Sequence, residues 1–302
     1  MELNSFQQEI AGNLPQVELR FHEPLSKHTS FRIGGPAEVM AFPKGEEELA
    51  QILKVSRKLD ISYRILGAGT NVLAPDQGTP GLVICLKDCL GGIEQLAGSC
   101  IQVMAGVTMS RAAVFAANQG LSGLEFAHGI PGTVGGGVYM NAGAYGGEIS
   151  QICRTVSVMD SFGEIHQRSP EEMDFGYRHS ALEQSGEIVI SAVFQLKAAP
   201  VETVKQQMKE LQARRSASQP LDYPSAGSAF KRPAGGYAAA LIEQAGLKGY
   251  QVGSAAISRK HAGFAVNLGG ATAEDVRSLL LQVSQRVYQD SGVCLEPEIR
   301  IW

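Results

Sequence analysis

The apolar and polar positions in the first third of the chain predict alternating helices and strands. Apolar residues recur every three or four positions in EEELAQILKVSRKLD, residues 46–60, which is the spacing of an amphipathic helix. The apolar runs ISYRIL, GLVICL and IQVMAGV predict strands. A second helix is predicted in TMSRAAVFAANQG, and Gly120 closes it. The first third therefore has a β-α-β-like order.

The middle of the chain predicts a hairpin, a strand and a long helix. Residues 153–169, CRTVSVMDSFGEIHQRS, alternate in polarity and turn at SFGE, and GEIVISAVFQL predicts a further strand. Residues 200–217 predict an amphipathic helix, whose apolar face carries Val201, Val204, Met208 and Leu211. The passage SQPLDYPSAGS follows, and its proline and serine content predicts a domain boundary.

The last hundred residues also mix helices and strands. GGYAAALIEQAG predicts a short helix, HAGFAVNL a strand and VCLEPEIRIW a closing strand. A long helix is expected to begin after the cap residue Thr272, with Glu274 and Asp275 in its first turn. Its apolar face is Val276, Leu279, Leu280, Val283 and Val287. The pattern predicts an α+β fold with at least two lobes.

Composition narrows the class of protein. The 302 residues are 44% hydrophobic and 19% charged, with a net charge of −4 and no basic run, which argues against nucleic acid as a partner. No apolar run approaches the roughly 18 residues of a membrane span, and the start of the chain lacks the regions of a signal peptide. We therefore expect a cytoplasmic protein that does not bind membranes.

Cysteine and histidine usage gives no sign of disulfides or metal. The five cysteines form no CxxC pair, and their odd number argues against a disulfide framework. The six histidines show no HExxH or other paired spacing. We expect reduced thiols and no metal site.

Glycine is the unusual feature of the composition. The chain has 35 glycines, well above the roughly 7% of average usage, and eight of them lie in GIPGTVGGGVYMNAGAYGGE, residues 129–148. FRIGGPAE and ILGAGTN are two further glycine turns, and neither matches a Rossmann or P-loop spacing. Each turn taken alone is equally well explained as a plain loop, and close packing is an alternative for the whole set. Three such segments together favour a large, flat, phosphate-bearing ligand along the backbone.

Three polar segments contain candidates for chemistry. GYRHS pairs Tyr177 with Arg178, SAGSAFKRP contains Ser228, and LEPEIRIW places Glu296 and Glu298 two apart on the predicted strand, hence on one face. No GxSxG elbow surrounds Ser228, so hydrolase chemistry has no support. Taken singly, a solvated arginine, a turn or cap serine and solubilising carboxylates explain these residues better than catalysis does.

Taken together and in order, seven segments resemble one family, the UDP-N-acetylenolpyruvoylglucosamine reductases (UDP-N-acetylmuramate dehydrogenases). The segments are HTSFRIGGPA, ILGAGTNVL, GLEFAHGIPGTVGGGVYMNAGAYGGEI, GYRHS, PSAGSAFKRP, HAGFAVN and LEPEIRI. They extend from about residue 28 to the end of the chain. Only about ten residues separate GYRHS from the strand GEIVIS, so the chain resembles the shorter, second type of the family.

The resemblance implies an α+β fold with a two-lobed FAD-binding domain of the vanillyl-alcohol oxidase type and a C-terminal α+β substrate-binding domain. The implied divisions are residues 1–85 and 86–198 for the two lobes and 199–302 for the third domain. The residues implied in FAD binding are Gly34, Gly35, Gly67, Gly69, Thr70, Asn71, Leu73, Gly129, Ile130, Pro131, Gly132, Gly135, Gly136, Asn141, Ala142 and Gly143. The glycine-rich run would then leave room for the pyrophosphate and the isoalloxazine.

The resemblance also implies a reaction with named residues. NADPH would reduce FAD, and a hydride would then reach the enolpyruvyl group of a nucleotide-sugar. Arg178 would stabilise the developing enolate, Ser228 would donate the proton, and Glu298, preferred to Glu296, would be the carboxyl partner. Tyr177 and Lys231 would bind the substrate, Lys231 at its diphosphate.

Two positions depart from the family pattern, and two other functions stay open. Arg232 in FKRP and Gly263 in HAGF stand where the family usually has asparagine, and both lie in the expected substrate-binding domain. The alternatives are an FAD-dependent oxidase of the same fold and a non-catalytic sensor of flavin or nucleotide-sugar. The sequence does not fix the oligomeric state, and a monomer is favoured.

Overall fold

The computed structural model describes residues 3–302 and divides the chain into two compact units. Unit 1 contains residues 3–21, 39–68 and 81–214, and unit 2 contains residues 22–38, 69–80 and 215–302. Unit 2 is thus built from two short early segments and the last part of the chain. The three-domain division expected from the sequence stays a prediction.

Helices contribute to both units. The α-helices of the described residues are α1 (Ser5–Asn13), α2 (Glu46–Lys58), α3 (Met109–Asn118), α4 (Val134–Tyr139), α5 (Leu182–Ser185), α6 (Val201–Ser218), α7 (Ala238–Gln244) and α8 (Ala273–Ser291). The predicted helices correspond to α2, α3, α6, α7 and α8 and are confirmed. Thr272 caps α8 as expected: its hydroxyl accepts from the N–H of Asp275 at 3.0 Å, and the Asp275 carboxylate accepts from the N–H of Thr272 at 3.1 Å.

The strands of the described residues are mostly short. They are β1 (Glu18–Pro24), β2 (Pro36–Phe42), β3 (Tyr63–Leu66), β4 (Val72–Leu73), β5 (Thr79–Cys85), β6 (Ile93–Leu96), β7 (Cys100–Met104), β8 (Leu121–Ser122), β9 (Gly143–Ala144), β10 (Gly147–Glu148), β11 (Cys153–Met159), β12 (Ile165–Arg168), β13 (Ile188–Gln195), β14 (Lys197–Ala198), β15 (Gln251–Val252), β16 (Ala255–Ile257), β17 (Ala265–Asn267) and β18 (Arg300–Ile301).

The largest sheet has five strands in the order β12-β11-β13-β7-β6, and all of its neighbours are antiparallel. The predicted hairpin at SFGE is confirmed, because β11 pairs with β12 with Met159 opposite Ile165. A four-stranded sheet has the order β1-β2-β5-β3, with β3 and β5 parallel. In unit 2, β15, β16 and β17 form a three-stranded antiparallel sheet, and β18 pairs with β4 in parallel.

Each unit has its own apolar core. In unit 1, Leu49, Ile52 and Leu53 of α2 belong to the same buried cluster as the inward side chains of the five-stranded sheet. In unit 2, the predicted apolar face of α8 is fully buried and packs with Phe31 and Ile33 from the early part of the chain. Because burying one such side chain contributes about 1.5–3 kcal/mol, these clusters hold each unit's segments together.

The prediction of a closing strand in VCLEPEIRIW is mostly wrong. Only Arg300 and Ile301 form a regular strand, and Pro297 forms an isolated bridge with Phe230. Proline lacks an N–H group and cannot continue a hydrogen-bonded ladder, which explains the interruption. Glu296 and Glu298 therefore do not lie on one regular strand as expected.

Three further features concern the expected class of protein. No helix in residues 3–302 is long and apolar enough to cross a membrane. All five cysteines are free thiols, and burial raises the pKa of Cys153 to about 12. No cluster of three or more His, Cys, Asp or Glu residues suited to a metal ion is found in the described part of the chain.

Candidate active site

The glycine-rich run of unit 1 leads into the short helix α4. Thr133 caps this helix, and its hydroxyl accepts from the N–H of Gly136 at 3.4 Å. The N–H of Val134 donates to the carbonyl of Val107 at 2.8 Å, and that of Gly135 to the carbonyl of Ala105 at 2.9 Å. The protein itself therefore uses the first two N–H groups of α4.

Several glycines of this run make close contacts within unit 1. A Cβ atom at Gly137 would lie 2.7 Å from the sulfur of Met109, and one at Gly147 would lie 2.5 Å from the ring of Phe126. Gly135 and Gly143 are similarly close to protein atoms. A Cβ at Gly136, in contrast, would find its nearest neighbour at 3.6 Å. Close packing thus accounts for part of the glycine content, while contact with FAD stays a prediction.

The turn after β3 approaches this run. A Cβ atom at Gly67 would lie 2.7 Å from the hydroxyl of Thr133. Gly67 and Thr133, which come from two of the segments expected to bind FAD, therefore lie side by side within unit 1. Pro131 and Gly136 are exposed there, and Gly129, Ile130 and Gly132 are half-buried.

Asn141 connects the glycine run to the segment that carries Arg178. It is 1% exposed and has a left-handed backbone, with φ of 40°. Its Nδ2 donates to the carbonyl of Gly176 at 2.9 Å, and its Oδ1 accepts from the N–H of Ser150 at 2.9 Å. The side chain of Asn141 is thus bound within the protein, and its expected contact with FAD stays a prediction.

Tyr177 and Arg178 occupy the tip of a tight turn. Gly176 and His179 exchange backbone hydrogen bonds of 3.1 and 3.3 Å on either side of them. Arg178 has φ of 56°, a conformation that is uncommon for residues other than glycine and that is frequent at functional sites. The Nη2 of Arg178 donates to the carbonyl of Gly143 at 3.2 Å. Gly143, expected to bind FAD, therefore also orients the guanidinium.

The remaining glycine turns lie in unit 2. Cβ atoms at Gly35 and Gly69 would overlap the carbonyl oxygens of Asp76 and His28. The N–H of Ser30 donates to the carbonyl of Gly69 at 3.0 Å, so the FRIGGPAE segment and the residues that follow Ala68 lie side by side. Gly34 is also closely packed, and Thr70 is half-buried. The side chain of Leu73 is 1% exposed and belongs to the core of unit 2.

Ser228 is held on a short extended segment of unit 2. It forms an isolated bridge with Phe264, and the N–H of the next residue, Ala229, donates to the carbonyl of Gly263 at 2.8 Å. Gly227, immediately before Ser228, has φ of 81° and open space where a Cβ would lie. The hydroxyl of Ser228 makes no hydrogen bond to another residue in the range 3–302.

The departure at Gly263 has a local explanation in packing. A Cβ atom there would lie 3.1 Å from the ring of His261 and 3.2 Å from Ala239. The Nδ1 of His261 accepts from the N–H of Gly263 at 3.1 Å, and burial lowers the pKa of His261. The imidazole therefore occupies the space beside this backbone.

Glu298 lies beside the Ser228 segment because backbone hydrogen bonds join the two. The N–H of Glu298 donates to the carbonyl of Ala229 at 3.0 Å. The Nδ2 of Asn71 donates to the carbonyl of Glu298 at 3.1 Å, and the N–H of Arg300 donates to the carbonyl of Asn71 at 2.9 Å. Unit 2 thus brings Ser228, Glu298 and Asn71 together, although they are far apart in the sequence.

Lys231 and Glu296 form an ion pair, and the N–H of Lys231 donates to the carbonyl of Glu296 at 2.8 Å. This pair gives Glu296 a role within the protein. Arg232, the other departure from the family pattern, lies with its guanidinium 4.5 Å from the centre of the Tyr237 ring. The expected catalytic residues are thus divided between the units, with Arg178 in unit 1 and Ser228 and Glu298 in unit 2.

Comparison with known proteins decides the family. The chain is 43% identical over 293 residues to the UDP-N-acetylenolpyruvoylglucosamine reductase of Streptococcus thermophilus, covering 97% of this chain and 96% of that protein. The chain belongs to the UDP-N-acetylenolpyruvoylglucosamine reductases. The Agathobacter rectalis reductase is 44% identical over 308 residues, covering 98% of each chain. The crystal structure of the Thermus caldophilus reductase superposes with a TM-score of 0.80 at 38% identity, covering 95% of this chain and 99% of that one.

Two family profiles divide the chain consistently with this assignment. An FAD binding domain matches residues 37–169, and the C-terminal domain of the UDP-N-acetylenolpyruvoylglucosamine reductases matches residues 219–302. The second match begins within SQPLDYPSAGS, the passage that predicts a boundary. The expected fold class, the FAD cofactor and the expected oxidoreductase class are confirmed.

One residue that the sequence did not single out bears on whether unit 1 fits FAD. Glu125 is 5% exposed, and its Oε1 has no hydrogen-bond partner among residues 3–302. It lies in the 3₁₀ turn Glu125–Ala127, just before the expected FAD segment at Gly129. An unpaired buried acceptor suits a cofactor with many hydroxyl and N–H donors, so the residues of unit 1 fit FAD. A charged residue inside the apolar run GLEFAHGI was the available sequence signal.

Proposed function

We propose that the protein catalyses the NADPH-dependent reduction of UDP-N-acetylglucosamine enolpyruvate to UDP-N-acetylmuramate, a step of peptidoglycan precursor synthesis in the cytoplasm. The observation that carries this proposal is the 43% identity with a named reductase over 97% of the chain. The pairing of the Ser228 and Glu298 segments in unit 2 supports it, because the backbones that carry the proposed proton donor and the proposed carboxyl partner then lie side by side.

The reaction adds a hydride to one carbon of the enolpyruvyl double bond and a proton to the other. FAD, when bound, supplies the carrier that takes a hydride from NADPH and delivers it to the substrate. The chain's own residues must then hold the negative charge that develops next to the substrate carboxylate and must provide the proton. This electrostatic task is commonly the largest contribution to such a reaction.

Arg178 is the proposed holder of the developing charge. The tight turn at Gly176 and His179 limits the positions that its cationic guanidinium can take. A group that is fixed before the reaction needs no rearrangement while charge develops. The contact of Arg178 with the carbonyl of Gly143 supports this role, since it fixes the guanidinium within unit 1.

Ser228 is the proposed proton donor and Glu298 its carboxyl partner. A serine hydroxyl is a weak acid, but the accepting carbon of an enolate is strongly basic, so the transfer is favourable. The hydrogen bond from Glu298 N–H to the carbonyl of Ala229 supports a joint role, because it fixes the backbone of Glu298 beside the residue that follows Ser228. Tyr177 and Lys231 are the proposed substrate contacts, and Lys231 must share its charge between the diphosphate and Glu296.

An anaerobic absorbance experiment tests this function. We expect NADPH to remove the flavin absorbance of the purified holoenzyme, and UDP-N-acetylglucosamine enolpyruvate to restore it without air. Absorbance that returns only when air is admitted would favour an oxidase of the same fold. Flavin absorbance that does not respond to NADPH at all would favour a non-catalytic sensor. Sedimentation of the same sample tests the favoured monomeric state.

A further inference from the structure

Glu125 is a buried residue, and one of its two carboxylate oxygens makes no hydrogen bond to the described residues. Its Oε2 accepts from the N–H of Gly123 at 2.7 Å, which fixes the orientation of the carboxylate. Its Oε1 has no partner among the described residues, and the whole residue is 5% exposed. The mechanism proposed above gives Glu125 no role.

An unpaired buried carboxylate oxygen is costly, since the group has lost water without gaining a replacement. Buried polar atoms in proteins are nearly always hydrogen-bonded. The hydroxyls of Ser56 and Thr79 are also unpaired within residues 3–302, but an unpaired carboxylate oxygen is more costly than a neutral hydroxyl, so Glu125 is the exception that points to a partner from outside the chain. The chain maintains this arrangement through Gly123, whose φ of 129° is a conformation that other residues rarely adopt. The carboxylate is therefore fixed in one orientation, in which Oε1 can accept a hydrogen bond from a ligand.

The surroundings of Glu125 point to the partner. The 3₁₀ turn Glu125–Ala127 packs against α3, β9 and β10, and β9 contains Gly143, the residue whose carbonyl holds Arg178. The N–H of Ile130 donates to the carbonyl of Ala127 at 3.0 Å, so the turn continues directly into residues 129–132. Glu125 thus belongs structurally to the segment expected to bind FAD, within the range matched by the FAD binding domain.

We propose that Oε1 of Glu125 accepts a hydrogen bond from a hydroxyl or N–H group of the bound FAD. FAD carries such donors on its ribityl chain, its ribose, its adenine and its ring system. The proposal rests on FAD binding and not on the proposed reaction, because it is tested by cofactor affinity without NADPH or nucleotide-sugar. A failed proposal would therefore leave the proposed function untouched, and the reverse also holds.

The Glu125→Gln substitution is the decisive variant. Its amide oxygen is expected to accept from Gly123 N–H, as Oε2 does now, so its NH₂ group takes the position of Oε1. A donor cannot satisfy a donor of FAD, so we expect FAD to bind the apoprotein about 10–100-fold more weakly. Titration of apoprotein with FAD, followed by flavin fluorescence, measures this change. Unchanged or tighter binding would overturn the proposal.

A structural role for Glu125 makes a different prediction. If Glu125 has only a structural role, Glu125→Gln will lower the thermal stability of the apoprotein. If Glu125 binds FAD, the same substitution will lower FAD affinity and change the unfolding temperature of the apoprotein little. Ser56→Ala is the matched control, because Ser56 is 1% exposed and its Oγ also lacks a partner in residues 3–302, but it lies in α2. We expect Ser56→Ala to leave FAD affinity unchanged.

Two further measurements sharpen the outcome. Titrations of wild-type and Glu125→Gln apoprotein with FMN and with ADP locate the donor: weakening for FMN alone places it on the flavin half, and weakening for ADP alone on the adenylate half. If Glu125→Gln does not fold, the charge-conserving Glu125→Asp variant is titrated instead, and at least several-fold weaker FAD binding is expected. Failure of both variants to fold would overturn the proposal in favour of a structural role.

Discussion

The two segments that carry the expected reactive residues are supported in opposite ways. In unit 1, the turn of Arg178 is held by Asn141, Gly143 and Tyr139, through contacts that span 35 to 41 positions of the sequence. In unit 2, hydrogen bonds to the segments of Ser228 and Glu298 come from Ser30 and Asn71, 195 and 227 positions away. Arg178 is thus positioned by one continuous stretch of chain, and Ser228, the proposed proton donor, by segments from both ends of the chain.

This difference has a consequence for how each unit responds to change. The hydrogen bonds around Arg178 join residues of one stretch of chain, so a substitution there should disturb the turn and little else. The hydrogen bonds around Ser228 and Glu298 also join distant segments of the fold, so a substitution there should lower the stability of unit 2 and disturb the site together. The substitutions below test this contrast, beginning with removal of a proposed reacting group itself.

The largest effect is expected for Ser228→Ala. Removing the proposed proton donor should lower turnover by about 10²–10⁴-fold, while reduction of the flavin by NADPH continues at the normal rate. Stopped-flow absorbance separates the two half-reactions. The extended segment is held through backbone bonds of Ala229, so we expect the variant to remain folded.

Ser225→Ala is the matched control for that experiment. Ser225 lies three residues earlier on the same segment, and its hydroxyl accepts from the N–H of Gly227 at 3.1 Å. The same hydroxyl donates to the carbonyl of Gly227 at 3.4 Å, so the substitution removes one ordinary and one long neutral hydrogen bond. We expect turnover of Ser225→Ala to stay within about tenfold of wild type, since the Ser228 hydroxyl is retained and a neutral hydrogen bond contributes about 1 kcal/mol. Equal losses in both variants would show that the segment's shape, and not the Ser228 hydroxyl, matters.

Asn141→Ala is expected to have the next largest effect. It removes one hydrogen bond to the carbonyl of Gly176, which keeps the one from the N–H of His179, and one to the N–H of Ser150, and each lost bond costs about 0.5–1.5 kcal/mol. The turn of Arg178 should shift, and a displacement of about 1 Å can lower kcat by about 10²-fold. Steady-state kinetics should show a larger change in kcat than in KM.

Two further variants accompany this experiment. Asn141→Asp keeps an acceptor for Ser150 but loses the donor to Gly176 and places a second carboxylate beside Glu148, so it should lose both stability and rate. Asn13→Ala makes the same substitution at an exposed site of unit 1, where Nδ2 donates to the carbonyl of Glu9 at 2.9 Å, and should change neither. A rate loss in Asn141→Ala that a lowered unfolding temperature fully explains would argue against a positioning role.

A smaller effect is expected for Asn71→Ala in unit 2. It removes the 3.1 Å hydrogen bond to the carbonyl of Glu298, which contributes about 1 kcal/mol, so turnover should fall only a few-fold. Stability should fall by a similar amount, because the bond also joins the early segment to the end of the chain. Loss of FAD affinity in this variant would support the expected contact of Asn71 with the cofactor.

The contrast also explains what the sequence could predict. Periodicity located α2, α6 and α8, because each buries one apolar face, and a glycine turn located the hairpin of β11 and β12. Periodicity failed in VCLEPEIRIW, where Pro297 interrupts an otherwise strand-like run. The pattern of apolar residues predicts which face of a helix or strand is buried. It does not predict where the hydrogen bonds between paired strands end.

The site was less predictable than the fold. The resemblance named Arg178, Ser228 and Glu298, but no local pattern links Asn71 to Glu298, because their contact depends on how distant segments pair. The left-handed backbone of Arg178 was equally hidden, since that conformation is associated with glycine and not with arginine. Burial of Glu125 could be recognised only once the turn was seen to pack against β9 and β10.

The smallest effect on activity is expected from a substitution of Glu187, which belongs to a charged network in unit 1 outside the Arg178 turn and the Ser228 segment. Glu187 accepts hydrogen bonds from Arg168 at 2.8 and 2.9 Å and from Ser185 at 2.9 Å, and it lies 2.5 Å from the ring of His166. Burial alone would raise the pKa of Glu187, but these hydrogen bonds outweigh it and hold the pKa below its ordinary value of 4.5. The ionised carboxylate is therefore favoured in the folded state.

The sign of the pH dependence follows from that lowered pKa. The network stabilises unit 1 above pH 4.5, where the unfolded carboxylate is ionised, and this contribution is lost as the pH falls further through the folded pKa. Glu187→Gln should therefore lower stability by about 1–3 kcal/mol at pH 7 and converge with wild type in acid. Urea unfolding of both proteins between pH 3 and pH 7 measures this. A constant difference across that range would show that packing, and not charge, gives Glu187 its role.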